Sequence, residues 1–382
     1  MLYVVRQWWP ILAAVGLIQI GNGISGTLFA LEVDARGLQG WEIGLLLCMF
    51  YAGSTAGPFL APVLIRRIAH IGTIVVFALL SALSVAGLAF APGALTLALL
   101  RAGQGIGLSA FYAAIESWLN LGTEDRWRAR VFAMYILVQL IGLASGQLLL
   151  NARGMGEMAL FLLAATLIAS PAAVVGMAPH KNPQFETPTP IGMIALARRA
   201  PLGVVAVLLS GFTWAGIMAT GPVFAQRIGL GDFDKSLFMA LPIIGGVIAQ
   251  FPLGWLADHN ERRVVLSGMS VAAALFAAFG AVASPGVPLF IAIAGFGAMA
   301  LPLYAVAVAL TNEVLSQDHR IAASASMVIY FGAGAVAGPS VTALVMDSWG
   351  PDGFFLAQGV GEGIFAAAVL LSLIQLRRRP AS

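Results

Sequence analysis

The chain has 382 residues, of which 60% are apolar and only 10% are charged. A soluble protein of ordinary composition carries charges at about a quarter of its positions. The chain therefore has too few charged residues to cover a water-facing surface, and the composition excludes an ordinary soluble protein. Its net charge of +3 does not indicate nucleic acid binding, because the positive residues cluster at the ends of apolar segments.

The apolar residues form twelve blocks. Each is about 20 residues long, which a helix needs to cross a bilayer core of about 30 Å. We predict an all-α membrane protein with spans at 9–31, 42–63, 72–90, 94–119, 129–151, 158–178, 201–226, 236–257, 264–283, 287–312, 321–346 and 354–376, numbered 1 to 12 below.

The positive residues predict the orientation of these spans. With an even number of spans both termini lie on one side, and that side receives fifteen positive residues against four on the other. By the positive-inside rule the termini are cytoplasmic. The cytoplasmic set is Arg6, Arg66, Arg67, Arg126, Arg128, Arg130, Lys181, Arg198, Arg199, Arg262, Arg263, Arg320 and Arg377 to Arg379, and the opposite set is Arg36, Arg153, Arg227 and Lys235.

One long polar and proline-rich connection divides the spans six and six. We predict an N-terminal six-helix bundle at 1–178, a cytoplasmic linker at 179–200 and a C-terminal six-helix bundle at 201–382. Within the linker, 191–199 is typical of a short amphipathic helix at the membrane surface.

The two halves also resemble each other in sequence. Seven identities recur at a constant separation of 192 residues, pairing Gly103 with Gly295, Gly105 with Gly297, Tyr112 with Tyr304, Asn120 with Asn312, Arg128 with Arg320, Gly142 with Gly334 and Gly146 with Gly338. The pattern predicts two parallel, pseudo-symmetric repeats with a solute site between them near mid-membrane.

Span 4 carries the most informative polar stripe, with one helix face formed by Arg101, Gly105, Ser109, Tyr112, Glu116 and Asn120. A charged side chain facing lipid at mid-depth costs about 2.5–3.5 kcal/mol or more. Arg101 and Glu116 should therefore face protein, water or a partner charge. The alternative is that Glu116 reaches the cytoplasmic interface and that Arg101 only anchors helix packing.

Other spans add inward-facing polar groups. We predict a solute cavity lined by Gln19, Asn22, Arg101, Ser109, Tyr112, Glu116, Gln139, Trp214 and Tyr304. For any single amide the alternative is an ordinary interhelical hydrogen bond. Nothing in the sequence assigns a role to Glu362 in span 12.

Two segments resemble motifs of the major facilitator superfamily. The turn Gly254–Arg263 is similar to its loop signature, and Arg101–Gly107 is similar to its fourth-helix motif. Four short stretches are similar to the YcaD-like branch of that superfamily: Ile115–Ser117, Arg128–Arg130, Gly146–Leu149 and Phe251–Gly254.

The resemblance implies the major facilitator fold and a secondary transporter that works by alternating access. It also implies a gating latch in which Asp258 meets the N-terminus of span 5, with Gly254, Arg262, Arg263 and Arg130 as its further members. The first-half counterpart of this turn, 57–67, lacks the aspartate, so the charge network should be one-sided.

We therefore expect proton-coupled export of a small amphipathic compound, with Glu116 and Arg101 as the coupling pair. Export rests on the resemblance alone, and a solute importer or facilitator is equally compatible with the fold. A non-transporting membrane protein is a distant third, because the spans contain no Ser/His/Asp set, no zinc-ligand pair and no closely spaced carboxylates.

The remaining expectations concern partners and location. We predict no enzyme activity, no cofactor and no metal, since Cys48 is the sole cysteine and no nucleotide-binding motif is present. The expected partners are a small solute, protons and lipid but not nucleic acid, for a monomer in the bacterial inner membrane. The four histidines His70, His180, His259 and His319 fall in predicted cytoplasmic turns, which argues against a buried histidine relay.

Overall fold

The computed structural model describes residues 2–150, 156–177, 192–315 and 317–378. Several residues named above have side chains outside this description: Arg6, Arg153, Lys181, Arg320 and Arg377 to Arg379, together with His180, His319 and linker residues 179–191.

The described residues form helices and no strands. The helices are α1 Leu2–Ala35, α2 Gly40–Leu88, α3 Ala94–Gly122, α4 Asp125–Leu149, α5 Glu157–Ala169, α6 Pro171–Val174, a 3₁₀ turn Val175–Met177, α7 Met193–Arg199, α8 Pro201–Arg227, α9 Asp232–His259, α10 Arg262–Val282, α11 Val287–Ala300, α12 Leu303–Glu313, α13 Gln317–Trp349 and α14 Gly353–Arg378.

Helix α2 crosses the membrane twice. Its 49 residues would span about 73 Å as one straight helix, more than twice the bilayer core. The helical backbone breaks at Ile68 and Ala69, and Ala69 has φ 61° and ψ 178°, a conformation that only glycine adopts easily. The break therefore marks the turn between spans 2 and 3.

The predicted number of spans is confirmed. The described part of the chain holds eleven helical segments long and apolar enough to cross a membrane, and counting α2 twice gives twelve. Span 4 is α3, span 5 is α4, span 7 is α8 and span 12 is α14. Span 10 is broken into α11 and α12 at Pro302, whose missing N–H cannot continue the helical hydrogen bonds.

The chain forms two compact units. Unit 1 comprises Met1–Leu38 and Leu45–Thr187, and in it α1 packs on α4 and α5. Unit 2 comprises Gln39–Gly44 and Pro188–Ser382, and in it α8 packs on α13 while α10 packs on α11 and α14.

The internal repeat is visible in how the glycines pack. A Cβ added to Gly105 would overlap the Phe50 carbonyl, and one added to Gly297 would overlap Pro242. Phe50 and Pro242 are themselves 192 residues apart. The close approach of α3 to α2 in unit 1 is thus repeated by α11 and α9 in unit 2.

A second helix pair repeats in the same register. In unit 1 a Cβ at Gly146 in α4 would overlap the Ile20 carbonyl of α1. In unit 2 a Cβ at Gly338 in α13 would overlap the Phe212 carbonyl of α8, again 192 residues on. Small residues let backbones touch, so the paired glycines of the sequence mark paired helix contacts.

The short helix predicted within the linker is present as α7. Its Leu196 is fully buried against unit 2, while Arg198 and Arg199 are exposed in the last turn. This arrangement fits a helix that lies along the bundle with its charges toward water.

Candidate functional site

A chain of hydrogen-bonded polar side chains lies inside unit 1, between α1 and α3. Arg101 donates to Oε1 of Gln104 at 2.7 Å, and the Gln104 amide donates to Oδ1 of Asn22 at 3.4 Å and to Oγ of Ser25 at 3.0 Å. The Asn22 amide in turn donates to Oε1 of Gln19 at 3.2 Å. Three of the predicted cavity residues, Gln19, Asn22 and Arg101, therefore belong to one network.

The Arg101 guanidinium also lies between two aromatic rings. Its Cζ is 4.5 Å from the Phe29 ring centroid and 4.9 Å from that of Phe50. Only 4% of Arg101 is exposed, and its Nε has no hydrogen-bond partner among the described residues. Cation–π contacts strengthen when the cation is desolvated, so protein groups replace the water around this charge.

No carboxylate of the described chain lies within ion-pair distance of Arg101. The positive charge is stabilised by amide oxygen and aromatic faces rather than by a fixed counter-ion. An anionic or electron-rich solute group would complement such a charge.

A second polar cluster links α3 to α4. The Tyr135 hydroxyl donates to Oε1 of Glu116 at 2.9 Å, and Gln139 is a further hydrogen-bonding neighbour of that hydroxyl. The Tyr112 ring meets the Tyr135 ring edge-on at 6.4 Å between centroids. Tyr135 is fully buried, whereas Glu116 is exposed. In this cluster a buried hydroxyl group is hydrogen-bonded to an exposed carboxylate.

The two clusters are separate. Arg101 and Glu116 are 15 residues apart on α3, about 22 Å along its axis. In the structure Arg101 is bonded to Gln104 and Glu116 to Tyr135.

The remaining predicted cavity residues have local roles within their own units. The Ser109 hydroxyl donates to the Gly105 carbonyl at 2.8 Å and lies against Gly57 of α2, so it fills a helix contact. Trp214 of α8 is half-buried. The half-buried Tyr304 packs edge-on against Phe331 at 5.4 Å.

Five residues of these clusters were missed from the sequence: Ser25, Phe29, Phe50, Gln104 and Tyr135. Helical spacing offered a signal for Ser25 and Gln104, since each lies three residues after a predicted member, Asn22 or Arg101. The two phenylalanines and Tyr135 carried no such signal, because aromatic residues inside an apolar span look like ordinary core.

The loop motif forms a charge network inside unit 2. Arg262 pairs with Asp258 at 3.3 Å and also with Glu313 at the end of α12. Arg263 lines a small surface pocket of about 60 Å³ together with Arg199 and Gly203. In unit 1, Arg130 lies 5.0 Å from the Trp127 ring centroid. Asp258 thus has an internal partner at the family spacing.

His70 lies at the predicted turn, but the inference that it is not buried is wrong. This residue is only 1% exposed, and its Nε2 lies 3.1 Å from the Ser117 hydroxyl, with its ring 6.0 Å from that of Trp118. It directly follows the backbone break at Ala69, which folds the turn against α3 instead of into water.

Comparisons with known proteins agree with this architecture. Residues 203–382 match the family model of the Major Facilitator Superfamily. Over these residues the chain resembles the major facilitator superfamily. This resemblance, together with the multi-pass helical fold, supports a membrane transporter that works by alternating access.

Two bacterial relatives in the superfamily cover nearly the whole chain. The uncharacterized MFS-type transporter YcaD of Escherichia fergusonii is 25% identical over 350 residues, which is 91% of this chain and 90% of the relative. An uncharacterized MFS-type transporter of Enterobacter sp. is 24% identical over 377 residues, 97% of this chain and 94% of the relative.

Solved structures of major facilitator proteins share the fold. The nucleoside transporter NupG superposes with a TM-score of 0.76 at 15% identity and covers 95% of this chain and 97% of its own. A bacterial homologue of the human lysosomal transporter Spinster, in an inward-facing and occupied conformation, gives a TM-score of 0.75 at 14% identity, with coverage of 98% and 99%.

Proposed function

We propose that this transporter couples proton movement to the export of a small amphipathic compound. Glu116 is the group that takes up and releases the proton, and Arg101 binds an anionic or electron-rich part of the solute. The observation that carries the proposal is the accessible Glu116 carboxylate, placed inside a membrane span and bonded to the buried Tyr135 hydroxyl.

Physical chemistry supports Glu116 for this role. A coupling carboxylate must be reachable, so that a proton can enter and leave, and must be positioned, so that its charge affects the helices around it. Glu116 is exposed and bonded from α3 to α4. Carboxylates inside membrane spans are rare and mark proton pathways in pumps and transporters.

Arg101 supplies the complementary feature. Its charge has no carboxylate partner among the described residues, and amides on α1 and α3 extend from it as a row of donors and acceptors. Apolar walls with a few placed polar groups are typical of small-molecule sites.

The decisive test of proton coupling is transport by Glu116→Gln in proteoliposomes under an imposed pH gradient. The amide keeps the shape and a hydrogen-bond acceptor for Tyr135 but cannot carry a proton at neutral pH. We expect proton-driven transport to be lost while thermal unfolding of the purified protein is unchanged. The matched control is Glu157→Gln, the same change at the exposed start of α5. Full proton-driven activity in Glu116→Gln would refute the assignment.

Direction and substrate class are tested together. Labelled compounds, including lipophilic cations, weak organic acids and nucleosides, are followed into vesicles with and without a pH gradient. Proton-coupled export predicts counter-movement of solute and protons. Accumulation along the proton gradient, or transport indifferent to it, favours the importer or the facilitator instead.

The finer placement of the chain belongs to the same proposal. We place both termini in the cytoplasm and the protein in the inner membrane as a monomer, with bundles at 1–178 and 201–382 joined by the linker 179–200. The positive-inside count supports this orientation. The Asp258 latch to the N-terminus of α4 is part of the proposal, supported by its family spacing and by the affinity of helix N-termini for carboxylates.

A further inference from the structure

Glu362 of α14 is a carboxyl group enclosed within unit 2. It is 0% exposed. The Thr213 hydroxyl of α8 donates to its Oε1 at 3.2 Å, and the Ser270 hydroxyl of α10 is its second polar neighbour. Three helices that are distant in sequence therefore meet at this one acidic side chain.

The site has no basic partner in the part of the chain whose side chains are described. Helices α8, α10 and α13 pack against α14. Their described charged or titratable residues are Arg227, Arg262, Arg263, Tyr330 and Asp347. None of them is within ion-pair or hydrogen-bond distance of Glu362.

Several buried polar atoms around this carboxyl group have no hydrogen-bond partner in the described part of the chain. Among the described residues, three buried oxygens of this cluster have no hydrogen-bond partner: Oε2 of Glu362, Oε1 of Gln358 and Oγ of Ser270. Gln358 lies one helical turn before Glu362 and uses its amide to donate to Thr342 at 3.0 Å. The Ser270 hydroxyl is one donor beside the carboxyl group, but the cluster as described holds no positive group and leaves Oε1 of Gln358 without a donor.

An ionised carboxylate in such a place is strongly unfavourable, because water is excluded and no cation compensates it. A proton on Oε2 removes the charge and provides a donor toward the unpaired oxygens. Oε1 stays free to accept from Thr213. One proton therefore removes the buried charge and leaves the bond from Thr213 in place.

We propose that Glu362 is a proton-binding site of unit 2, distinct from Glu116, and that its carboxyl group is protonated in this conformation. Release of the proton leaves a bare charge among α8, α10 and α14, so it requires these helices to part and admit water. Thr213 of α8 bonds to Glu362 and directly precedes Trp214, a predicted cavity residue. Protonation of Glu362 is therefore linked to the position of α8. The proposal is independent of the transport direction and of the role of Glu116.

The test is infrared spectroscopy of the purified protein in lipid vesicles at neutral pH. A protonated carboxyl group has a carbonyl band that an ionised carboxylate lacks. We expect this band in the wild type and in Glu157→Gln, and a loss of intensity in Glu362→Gln. Glu116→Gln is measured in parallel so that the contributions of the two carboxyls are separated. Identical carbonyl bands in the wild type and Glu362→Gln would overturn the proposal.

Two further measurements keep the test decisive if Glu362→Gln folds poorly. Thr213→Val keeps the carboxyl group but removes its donor, so the band should shift in frequency without disappearing, and an unshifted band contradicts the assignment.

Unfolding temperatures in sodium chloride and in choline chloride at equal ionic strength should agree. If the unfolding temperature were higher in sodium chloride than in choline chloride, and Thr213→Val abolished this difference, the site would bind Na⁺. That result would overturn the proposal of a bound proton. These outcomes do not depend on the role of Glu116. They would be the same if Glu116→Gln kept full proton-driven transport.

Discussion

The hydrogen bond from Tyr135 to Glu116, 2.9 Å long, joins two successive helices at the accessible carboxylate of unit 1. Because Tyr135 is buried and Glu116 is not, the tyrosine fixes the direction in which the carboxylate points. The bond holds the flexible Glu116 side chain in one orientation. Removing the bond tests the effect of that orientation while the carboxylate charge is kept.

Tyr135→Phe should slow proton-driven transport about tenfold and leave the chain folded. A hydrogen bond to a charged group contributes about 1.5–3 kcal/mol, and about 1.4 kcal/mol corresponds to a factor of ten. Initial rates in proteoliposomes measure the effect. Tyr330→Phe is the control, since it also loses one hydroxyl hydrogen bond, to the Met193 carbonyl, at a position outside both clusters. Equal slowing in the two variants would contradict a special role for Tyr135.

Arg101→Lys should destabilise unit 1 although the charge is kept. The ammonium of lysine cannot lie flat between the Phe29 and Phe50 rings while it also reaches Gln104. We expect a loss of about 1–2 kcal/mol, the scale of a desolvated cation–π contact. Tryptophan fluorescence during thermal unfolding measures it.

The matched change for Arg101 is Arg126→Lys. Arg126 pairs with Glu124 at 2.7 Å, but both side chains are largely exposed, so this change should cost less than about 0.5 kcal/mol. A smaller loss for Arg101→Lys than for Arg126→Lys would show that the aromatic setting does not stabilise Arg101.

Gly105→Ala and Gly297→Ala should both reduce the yield of folded protein sharply. In each case a methyl group would overlap the backbone of a neighbouring helix, at Phe50 or at Pro242. Gly26→Ala and Gly363→Ala are controls inside helices where nothing lies within 4 Å of the added Cβ. These controls should be neutral or slightly stabilising, since alanine is the better helix former. Size-exclusion profiles after detergent extraction measure all four, and tolerance of Gly105→Ala together with Gly297→Ala would contradict the repeat contacts.

Comparing Asp258→Asn with Glu313→Gln should distinguish the proposed latch role of Asp258 from its contribution to the stability of unit 2. Each removes one carboxylate partner of Arg262. Because Asp258 and Glu313 are 69% and 46% exposed in their side chains, both changes should lower stability by less than about 1 kcal/mol. If Asp258 also acts as the proposed latch, only Asp258→Asn should strongly reduce the transport rate. Equal rates in the two variants would leave Asp258 with no role beyond its pair with Arg262.

The relation between sequence and site is clearest at Arg101. Helical spacing placed Gln19 and Asn22 on one face of span 1, and the cost of a charge in lipid required Arg101 of span 4 to face protein, water or a partner charge. The spacing did not show that Gln104 joins them, because this contact bridges residues 82 apart in the chain. Long-range proximity depends on how α1 and α3 pack, which no local pattern contains.

The burial of Glu362 and His70 could not be predicted from the sequence. The sequence assigned no role to Glu362 in span 12 and placed His70 in a turn, yet both side chains are almost fully buried. Burial depends on which neighbours cover a residue, and the covering groups come from helices far along the chain.

By itself the sequence determined the membrane environment, the twelve crossings and the twofold repeat. Each of these follows from chain-local physics: the cost of charges in lipid, the length of helix that spans a bilayer, and glycines at matched positions. Only the tertiary structure decided which polar groups meet, that Arg101 lies between two rings, and that Glu362 has hydroxyl neighbours and no basic side chain among the described residues. These are packing outcomes, since the side chains that meet at Arg101 and Glu362 come from separate helices.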